Sequence, residues 1–580
     1  MASTCRTIGA ERQDNDAGPG FIWSGQLIEV NRGDAGEVRV TRASTCRIQA
    51  ADTGSQRRDL LIGSLGALAL AAADAPAHGA TDAGLVVKTG KGNVRGSIAD
   101  GIHAFKGIPF AAPPVGANRL RPPQTREPWN GVLDALSFGP KPPQGPYPPF
   151  VAELLPELAG PGEDCLTLNI WSKDPGDAAL PVMVWIPGGM YEYHGTGACP
   201  WYDGTAFARD GVICVTINYR VGAEGFLYLG DGIANLGLLD QIAALEWVRD
   251  NIAGFGGDPG NITIFGESAG ALSIGTLLAM PRAKGLFRRA IVQSGGSRHV
   301  TSPETSLRIG RRLAEKMGVE PTREAIAAAP LESLLAAQIA LREEMMTQQP
   351  DPAFWGEVLL NSLPWEPTVD GDTIPAAPFE LIQAGAGADV DLLVGSNTEE
   401  TRLFLVPGGA IDQIPPEALA GSIAAYGLAV EPTLAAYREL HPGASVGDLF
   451  SAVQTDWYWR IPALRLAEAH AEKATASPTY MYEFAWRSPQ FGGRLGAGHS
   501  LEIAFAFDTL GHQTGPTHGE NPPQGLADAM HKAWVAFATT GDPGWPKFDT
   551  GRRATMHFDL ESKVVDDPLV RERALWEGVR

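Results

Sequence analysis

The chain has 580 residues, of which 44% are hydrophobic and 19% charged, a composition that is typical of a globular protein and excludes disorder throughout. Its formal net charge of −21 excludes nucleic acid as a partner and a stable anchor on an anionic membrane, since both need clustered basic residues. The five cysteines have neither C-x-x-C spacing nor the density of a disulfide scaffold, so we expect no metal site.

Residues 55–80 differ in composition from the rest of the chain. Two arginines, Arg57 and Arg58, precede a mildly apolar stretch of Ala, Gly and Leu, and small residues follow. This plan resembles a twin-arginine export signal and predicts a periplasmic or secreted protein, with a mature chain that begins near residues 78–81. The alternative is an Ala-rich helix packed on a cytoplasmic protein. Because a signal should open a chain, we interpret residues 1–54 as the result of a start site assigned too far upstream.

From residue 84 to residue 580, short apolar runs alternate with helical patterns, which predicts one α/β domain with a mostly parallel sheet. The helical pattern at 304–350 is expected to lie over the active edge of that sheet. An apolar helix face runs from Leu238 to Ile252, and Gly254 can end this helix. The expected strands are 181–186, 212–219, 262–265, 290–295 and 391–396.

Ser268 lies in the sequence "GESAG", at the end of the third of these strands and before a helical pattern that Pro281 stops. The G-x-S-x-G pattern alone is weak because glycine is common. Its position between a strand and a helix is the context of a nucleophile elbow, in which glycines let the chain turn sharply and present the serine hydroxyl. The alternative is a small residue in a tight turn.

A catalytic serine needs a base and a carboxylate that orients the base, expected in the chain order serine, acid, histidine. His499 lies in a Gly-rich loop after the strand-like "TYMYEFAW". His470 and His531 lie in helical patterns and are predicted to be surface residues. Spacing leaves four candidates open for the acid: Glu400, Glu399, Asp370 and Asp372.

Five segments carry a resemblance to a known family. They are "EDCLTLNIW" (163–171), "MVWIPGGM" (183–190), "NLGLLDQIAALEWVRDNIAGFGGDPGNITIFGESAG" (235–270), "GRLGAGHSLEIAF" (493–505) and "FATTGDPGWPKF" (537–548). Together they resemble the type-B carboxylesterase family of α/β hydrolases, which includes cholinesterases and bacterial p-nitrobenzyl esterases. The resemblance covers residues 84 to about 575. It implies the α/β-hydrolase fold and a serine carboxylesterase that acts on small-molecule esters with no cofactor and no metal.

Position by position, the resemblance also implies the roles of individual residues. The nucleophile falls on Ser268, the acid on Glu400 and the base on His499. The backbone N–H groups of the oxyanion hole fall on Gly189, Met190 and Ala269. The cysteine that animal members pair with an upstream partner falls on Cys165, but no cysteine lies between residues 47 and 164, so we do not expect that disulfide.

The sequence departs from the family pattern at three further places. Met190 stands where many members have a third glycine, and Pro187 stands where His or Tyr is usual. The loop before "EDCL" lacks the Trp with which choline-binding members hold a quaternary ammonium, so we do not expect a choline ester as substrate.

Several residues keep two interpretations. Glu267 either tunes the electrostatics of the site or hydrogen-bonds within the elbow, and we favour the structural role. Phe354, Trp355 and Trp365 either shape a substrate pocket or belong to the core. Cys214 is predicted to be a buried hydrophobe.

Two other functions remain open, namely a non-catalytic binding protein on the same fold and an enzyme with lipase-type specificity.

Overall fold

The computed structural model describes residues 83–176, 178–346 and 350–580. The predicted export signal at 55–80 and the extension at 1–54 lie outside these residues. The strands are β1 (Ala83–Lys88), β2 (Asn93–Ala99), β3 (Ile102–Pro109), β4 (Val132–Asp134), β5 (Thr167–Ser172), β6 (Leu180–Ile186), β7 (Ile213–Ile217), β8 (Gly257–Glu267), β9 (Arg289–Gln293), β10 (Asp391–Asn397), β11 (Thr479–Phe484), β12 (Ala554–Phe558) and β13 (Lys563–Asp566).

These strands form one sheet in the order β1-β2-β3-β5-β7-β6-β8-β9-β10-β11-β12-β13, with β4 paired to β2. The strands from β7 to β12 in this order are parallel, whereas β1, β2, β3, β5 and β13 join the sheet antiparallel. Every residue of β7 and β9 is buried, as expected for parallel strands that helices cover on both faces. The predicted α/β class and the mostly parallel sheet are therefore confirmed.

Helices cover the sheet. No single helix among the described residues is long and apolar enough to cross a bilayer, although Pro416–Ala425 and Val430–Leu440 together meet that criterion as a pair bent by 114°. The α-helices of five residues or more are Thr205–Arg209, Gly222–Phe226, Leu236–Asn251, Ala269–Leu277, Pro303–Met317, Arg323–Ala328, Leu331–Met345, Pro378–Gln383, Pro416–Ala425, Val430–Leu440, Val446–Thr455, Ile461–Lys473, Gln524–Thr540 and Val570–Leu575.

The helix Leu236–Asn251 connects β7 to β8, but these strands are not neighbours, because β6 lies between them. The helix is thus a crossover connection that passes one strand. The prediction that Gly254 ends the helix is wrong. A 3₁₀ turn follows at Ile252–Phe255, and Gly256 takes the left-handed conformation with φ 89°, which a glycine adopts without a steric penalty.

Within the pattern at 304–350, the described residues form the helices Pro303–Met317, Arg323–Ala328 and Leu331–Met345, and the last of these lies against loops at the carboxyl edge of the sheet. In the helix Leu331–Met345, the Gln338 side-chain oxygen accepts a hydrogen bond of 2.9 Å from the N–H of Ala223, which follows β7. Arg342 of the same helix forms an ion pair with buried Glu192, which follows β6. The helix therefore anchors loops that extend from the ends of two central strands.

The three cysteines among the described residues are buried free thiols: Cys165, Cys199 and Cys214. The prediction for Cys214 is confirmed, and Cys165 forms no disulfide. Burial raises the pKa of the Cys199 thiol to about 12, so this thiol is protonated at neutral pH.

Candidate active site

Ser268 stands at a sharp turn between β8 and the helix Ala269–Leu277. Its φ of 56° and ψ of −125° are a backbone conformation that residues other than glycine rarely adopt, so the turn is strained. The N–H of Ser268 donates a hydrogen bond of 3.0 Å to the carbonyl of Gln293 at the end of β9. The strand on one side and the helix on the other hold the serine in this conformation.

The two glycines of the elbow (266–270) are required by close backbone contacts. A Cβ on Gly266 would lie 2.6 Å from the carbonyl oxygen of Ile186, and a Cβ on Gly270 would overlap the same oxygen. A Cβ on Gly188, in the loop after β6, would lie 3.0 Å from the Cβ of Ser268. The glycine spacing therefore follows from the tight crossing of β6, its loop and the elbow.

Glu400 is the carboxylate that meets His499. Glu400 Oε2 lies 2.6 Å from His499 Nδ1, and Glu400 Oε1 accepts a hydrogen bond of 2.7 Å from the N–H of Asn397. The N–H of His499 also donates to the Glu400 carbonyl at 3.1 Å, and the Glu400 side chain has no exposure to solvent. Both oxygens of this carboxylate are therefore held in place, and one of them orients the imidazole.

The competing acids are engaged elsewhere. Glu399 forms ion pairs with Arg402, at 2.9 Å, and with Arg487. Asp370 accepts a hydrogen bond of 2.8 Å from the N–H of Ile374 in a local turn, and Asp372 is exposed. Among the four acids that spacing left open, Glu400 alone contacts His499 in the structure.

Ser268 and His499 line the same pocket, together with four residues of the loop 187–195, namely Gly188, Gly189, Met190 and His194. Its walls are mostly apolar and aromatic. The full lining comprises Tyr147, Pro148, Val151, Leu155, Pro156, Gly188, Gly189, Met190, His194, Cys199, Trp201, Tyr202, Glu267, Ser268, Leu403, Phe404, His499, Ser500 and Ile503.

Three backbone N–H groups border Ser268 without a backbone partner of their own. Gly189, with φ 113°, and Met190, with φ 60°, donate no hydrogen bond to any group in the described part of the chain. Ala269 is the first residue of its helix, where the N–H groups have no partner within the helix. Such free donors, with the positive end of a helix dipole, suit an anionic oxygen.

Two carboxylates act on the pKa of His499. Glu267 Oε1 lies 3.0 Å from His499 Nε2, on the side of the ring opposite Glu400, although the pair lacks hydrogen-bond alignment. Burial lowers the pKa of His499, but the negative charges of Glu267 and Glu400 outweigh it and raise the pKa well above its usual value. Ser500 Oγ donates a hydrogen bond of 2.6 Å to Glu267, which fixes this carboxylate beside the imidazole.

A third buried carboxylate, Glu502, was not identified from the sequence. Its oxygens accept hydrogen bonds from the side-chain amides of Gln293, at 3.2 Å, and Asn397, at 2.8 Å. Burial, with the charges of Glu267 and Glu400, raises the pKa of Glu502 to about 8, so this group is mostly protonated at neutral pH. The sequence around Glu502, a single Glu after "HSL", does not indicate that this side chain is buried beside other carboxyl groups.

Aromatic rings enclose the imidazole of His499. The ring centroid of Phe404 lies 5.4 Å from it and that of Trp459 lies 5.0 Å from it. Phe404 and Trp459 also stack on each other, with an angle of 3° between their planes. The sequence did not identify either ring, because Trp459 lies about forty residues before His499 in the chain.

The predictions for two other histidines are wrong, since His470 and His531 are buried. His470 Nδ1 lies 2.7 Å from Thr479 Oγ1, and His531 Nδ1 lies 2.8 Å from the carbonyl of Ala506. Polar rings can be buried in helices when such partners satisfy them.

The aromatic residues considered for the pocket do not line it. Trp355 and Trp365 are buried in the hydrophobic core, and Phe354 packs against that core. The core interpretation of these three residues therefore agrees with the structure.

Comparison with known proteins identifies the family. The model of the carboxylesterase family matches residues 83–575. Para-nitrobenzyl esterase of Bacillus subtilis is 37% identical over 84% of this chain and 97% of its own length, and phenmedipham hydrolase of Pseudarthrobacter oxydans is 35% identical over 84% and 97%. The crystal structure of a Geobacillus stearothermophilus carboxylesterase has a TM-score of 0.74 and 38% identity, and covers 85% of this chain and 99% of that one. The chain belongs to the carboxylesterase family and is a carboxylic-ester hydrolase with the α/β-hydrolase fold.

Proposed function

We propose that the protein hydrolyses small-molecule esters through an acyl-enzyme on Ser268, with His499 as the general base and Glu400 as the carboxylate that orients it. The observation that carries this proposal is the 2.6 Å contact between His499 Nδ1 and Glu400 Oε2, beside a pocket that His499 shares with Ser268. A weak serine nucleophile becomes reactive when an oriented base takes its proton.

In the first half of the reaction, Ser268 Oγ attacks the ester carbonyl carbon while its proton passes to His499 Nε2. Glu400 stabilises the imidazolium that forms. The bond to the alcohol oxygen then breaks, and the alcohol leaves with the proton from Nε2. In the second half, His499 removes a proton from water as the water oxygen attacks the acyl carbon. The bond between the acyl carbon and Ser268 Oγ then breaks, His499 Nε2 returns the proton to Oγ, and the carboxylic acid leaves.

The negative oxygen of each tetrahedral intermediate is bound by the N–H groups of Gly189, Met190 and Ala269. The absence of acceptors for the first two among the described residues supports this role. Loss of one such donor lowers the rate by roughly 10²–10³.

Glu267 sets the pH range over which His499 acts as a base. With a carboxylate at each ring nitrogen, the imidazole holds its proton more tightly than a free histidine does. A base must be unprotonated, so kcat/KM rises as the pH increases through the raised pKa of His499. This role goes beyond the purely structural role favoured from the sequence.

The experiment that tests the proposal compares wild type with Ser268→Ala on para-nitrophenyl esters of increasing acyl length. We expect wild type to release para-nitrophenol and Ser268→Ala to lose most of this activity. A non-catalytic binding protein would hydrolyse none of these esters above background. Lipase-type specificity would instead give a rate that increases sharply once the ester forms an oil–water interface.

We also propose export of the enzyme to the periplasm or the medium, on the basis of the arginine pair and apolar stretch within 55–80. N-terminal sequencing of the native protein tests this, with a first residue between 78 and 81 expected. A cytoplasmic protein that retains residues 55–77 would contradict it.

A further inference from the structure

His194 lies in the active-site pocket with neither ring nitrogen satisfied. The residue belongs to the loop 187–195 and lines the same pocket as Ser268 and His499. It is 5% exposed, and neither Nδ1 nor Nε2 has a hydrogen-bond partner in the described part of the chain. A buried polar ring without partners is unfavourable, so a group that enters the pocket gains by pairing with it.

The position of this ring is fixed by contacts on two sides. The His194 N–H donates to the side-chain oxygen of Gln144 at 2.7 Å, and the Gln144 amide donates to the His194 carbonyl at 2.9 Å. The ring meets that of Tyr202 edge to face, with centroids 5.6 Å apart. The backbone is left-handed, with φ 59°, a conformation for which histidine is among the more tolerant residue types.

The charge state of His194 limits the kind of group that it can recognise. Burial, with a smaller contribution from Lys141, lowers the pKa of His194 to about 3. The imidazole is therefore neutral at physiological pH, with one nitrogen as donor and the other as acceptor. Glu267 also faces the pocket and disfavours a substrate carboxylate there. A neutral group that both donates and accepts fits these conditions, and a hydroxyl is the simplest case.

We propose that His194 is a specificity-determining residue that hydrogen-bonds a neutral hydroxyl of the ester substrate, away from the scissile carbonyl. The inference rests on the proposed esterase function. The hydroxyl can belong to the acyl part or to the alcohol part of the ester, and the test separates the two.

The test measures kcat/KM for two matched pairs of esters. Para-nitrophenyl butanoate and the para-nitrophenyl ester of β-hydroxybutanoate differ by a hydroxyl on the acyl side. Butyl acetate and the monoacetate of butanediol differ by a hydroxyl on the alcohol side. Their hydrolysis is measured from the acid that is released. We expect wild type to prefer the hydroxylated ester of one pair by about threefold to tenfold, the effect of one neutral hydrogen bond.

His194→Phe, which retains the ring but removes both nitrogens, should abolish that preference while the plain ester is still hydrolysed. His194→Asn, which tolerates the left-handed backbone and can hydrogen-bond, should keep part of it. His299→Phe is the matched control, because His299 is also buried with an unpaired Nδ1 but lies outside the pocket lining. It should leave the preference unchanged.

The possible failures are distinguishable. If wild type hydrolyses the plain esters but shows no preference in either pair, or if folded His194→Phe keeps the preference, this inference is wrong and the proposed function stands. If wild type hydrolyses no ester above the level of Ser268→Ala, both are wrong. If His194→Phe does not fold, the inference is judged from the preference of wild type and from whether His194→Asn changes that preference.

Discussion

The elbow (266–270) and the loop 187–195 both contribute residues to the pocket lining, yet they place their functional groups in different ways. In the elbow, glycines stand where a Cβ would meet a backbone oxygen, and only Ser268 is strained. In the loop 187–195, by contrast, Met190, Tyr191 and His194 all have positive φ although none is glycine. The elbow is thus determined by close backbone contacts, whereas the loop has strained positions, two of which, Met190 and His194, lie in the pocket lining.

Because of this difference, we expect substitutions in the two regions to have different effects. In the proposed mechanism, the elbow and the strand ends around it hold the reacting groups, so a substitution there should affect the chemical step or the fold. In the loop 187–195, the proposed contribution to catalysis comes from backbone N–H groups, whereas the side chains of Met190 and His194 line the pocket. Substitutions at these two residues should therefore change specificity or stability more than kcat.

The largest effect is expected on kcat when Glu400, the carboxylate that contacts His499, is replaced. Glu400→Gln should lower kcat by about 10⁴, because the amide no longer stabilises the imidazolium. Glu399→Gln is the matched control; since Glu399 pairs with arginines instead of His499, kcat should change by less than about tenfold. Steady-state kinetics with para-nitrophenyl butanoate checks both. The reverse ranking would place the acid one residue earlier.

The second prediction concerns the packing of the elbow. Gly270→Ala places a methyl group against the carbonyl of Ile186, so we expect the free energy of unfolding to fall by about 3 kcal/mol or more. Gly285→Ala is a comparison in open space, where φ is 81° and no atom lies within 4 Å of the added Cβ, so only backbone strain of about 1–2 kcal/mol remains. Denaturant unfolding measures both. Equal losses would show that the crossing at Ile186 is looser than the structure indicates.

The third prediction concerns pH dependence. Glu267→Gln removes one of the two charges that raise the pKa of His499, so the acid limb of the kcat/KM profile should move to lower pH by about one to three units. Glu502→Gln should shift the acid limb less than Glu267→Gln does. The raised pKa of Glu502, about 8, already leaves that group mostly uncharged at neutral pH. The pH profiles of wild type and both variants provide the test. An acid limb that does not move in Glu267→Gln would remove Glu267 from this role.

The smallest effect is expected at Met190. Its φ of 60° is strained for a side chain other than glycine, so Met190→Gly should be more stable than Met190→Ala by about 1 kcal/mol. Because the backbone N–H remains in both variants, kcat should stay within about threefold of wild type, less than the roughly 10²-fold loss assigned to a missing donor. Unfolding and kinetic measurements on both variants check this. Loss of turnover in a folded Met190→Ala enzyme would show that the side chain is essential.

The sequence predicted the central strands β6 to β10 and the elbow, because apolar runs and glycine spacing reflect local constraints. The antiparallel strands β1, β2, β3, β5 and β13 were not among the expected strands. It could not choose between Glu399 and Glu400 by spacing, since neighbouring residues at a strand end point in different directions; the family resemblance made that choice. Glu502 and His194 were missed because their roles depend on burial, which arises only when distant segments pack together. The same reason explains the wrong prediction for His470 and His531, whose polar partners lie on other elements.

In the proposed mechanism, Ser268 is the residue that becomes acylated. Diethyl para-nitrophenyl phosphate, which phosphorylates an activated serine and releases para-nitrophenol, tests this most directly when the labelled protein is digested and its peptides are analysed by mass spectrometry. We expect one diethylphosphoryl group on Ser268, in proportion to lost activity, and no labelling of folded Ser268→Ala. Labelling of another residue in proportion to lost activity, or full ester turnover by Ser268→Ala, would contradict it.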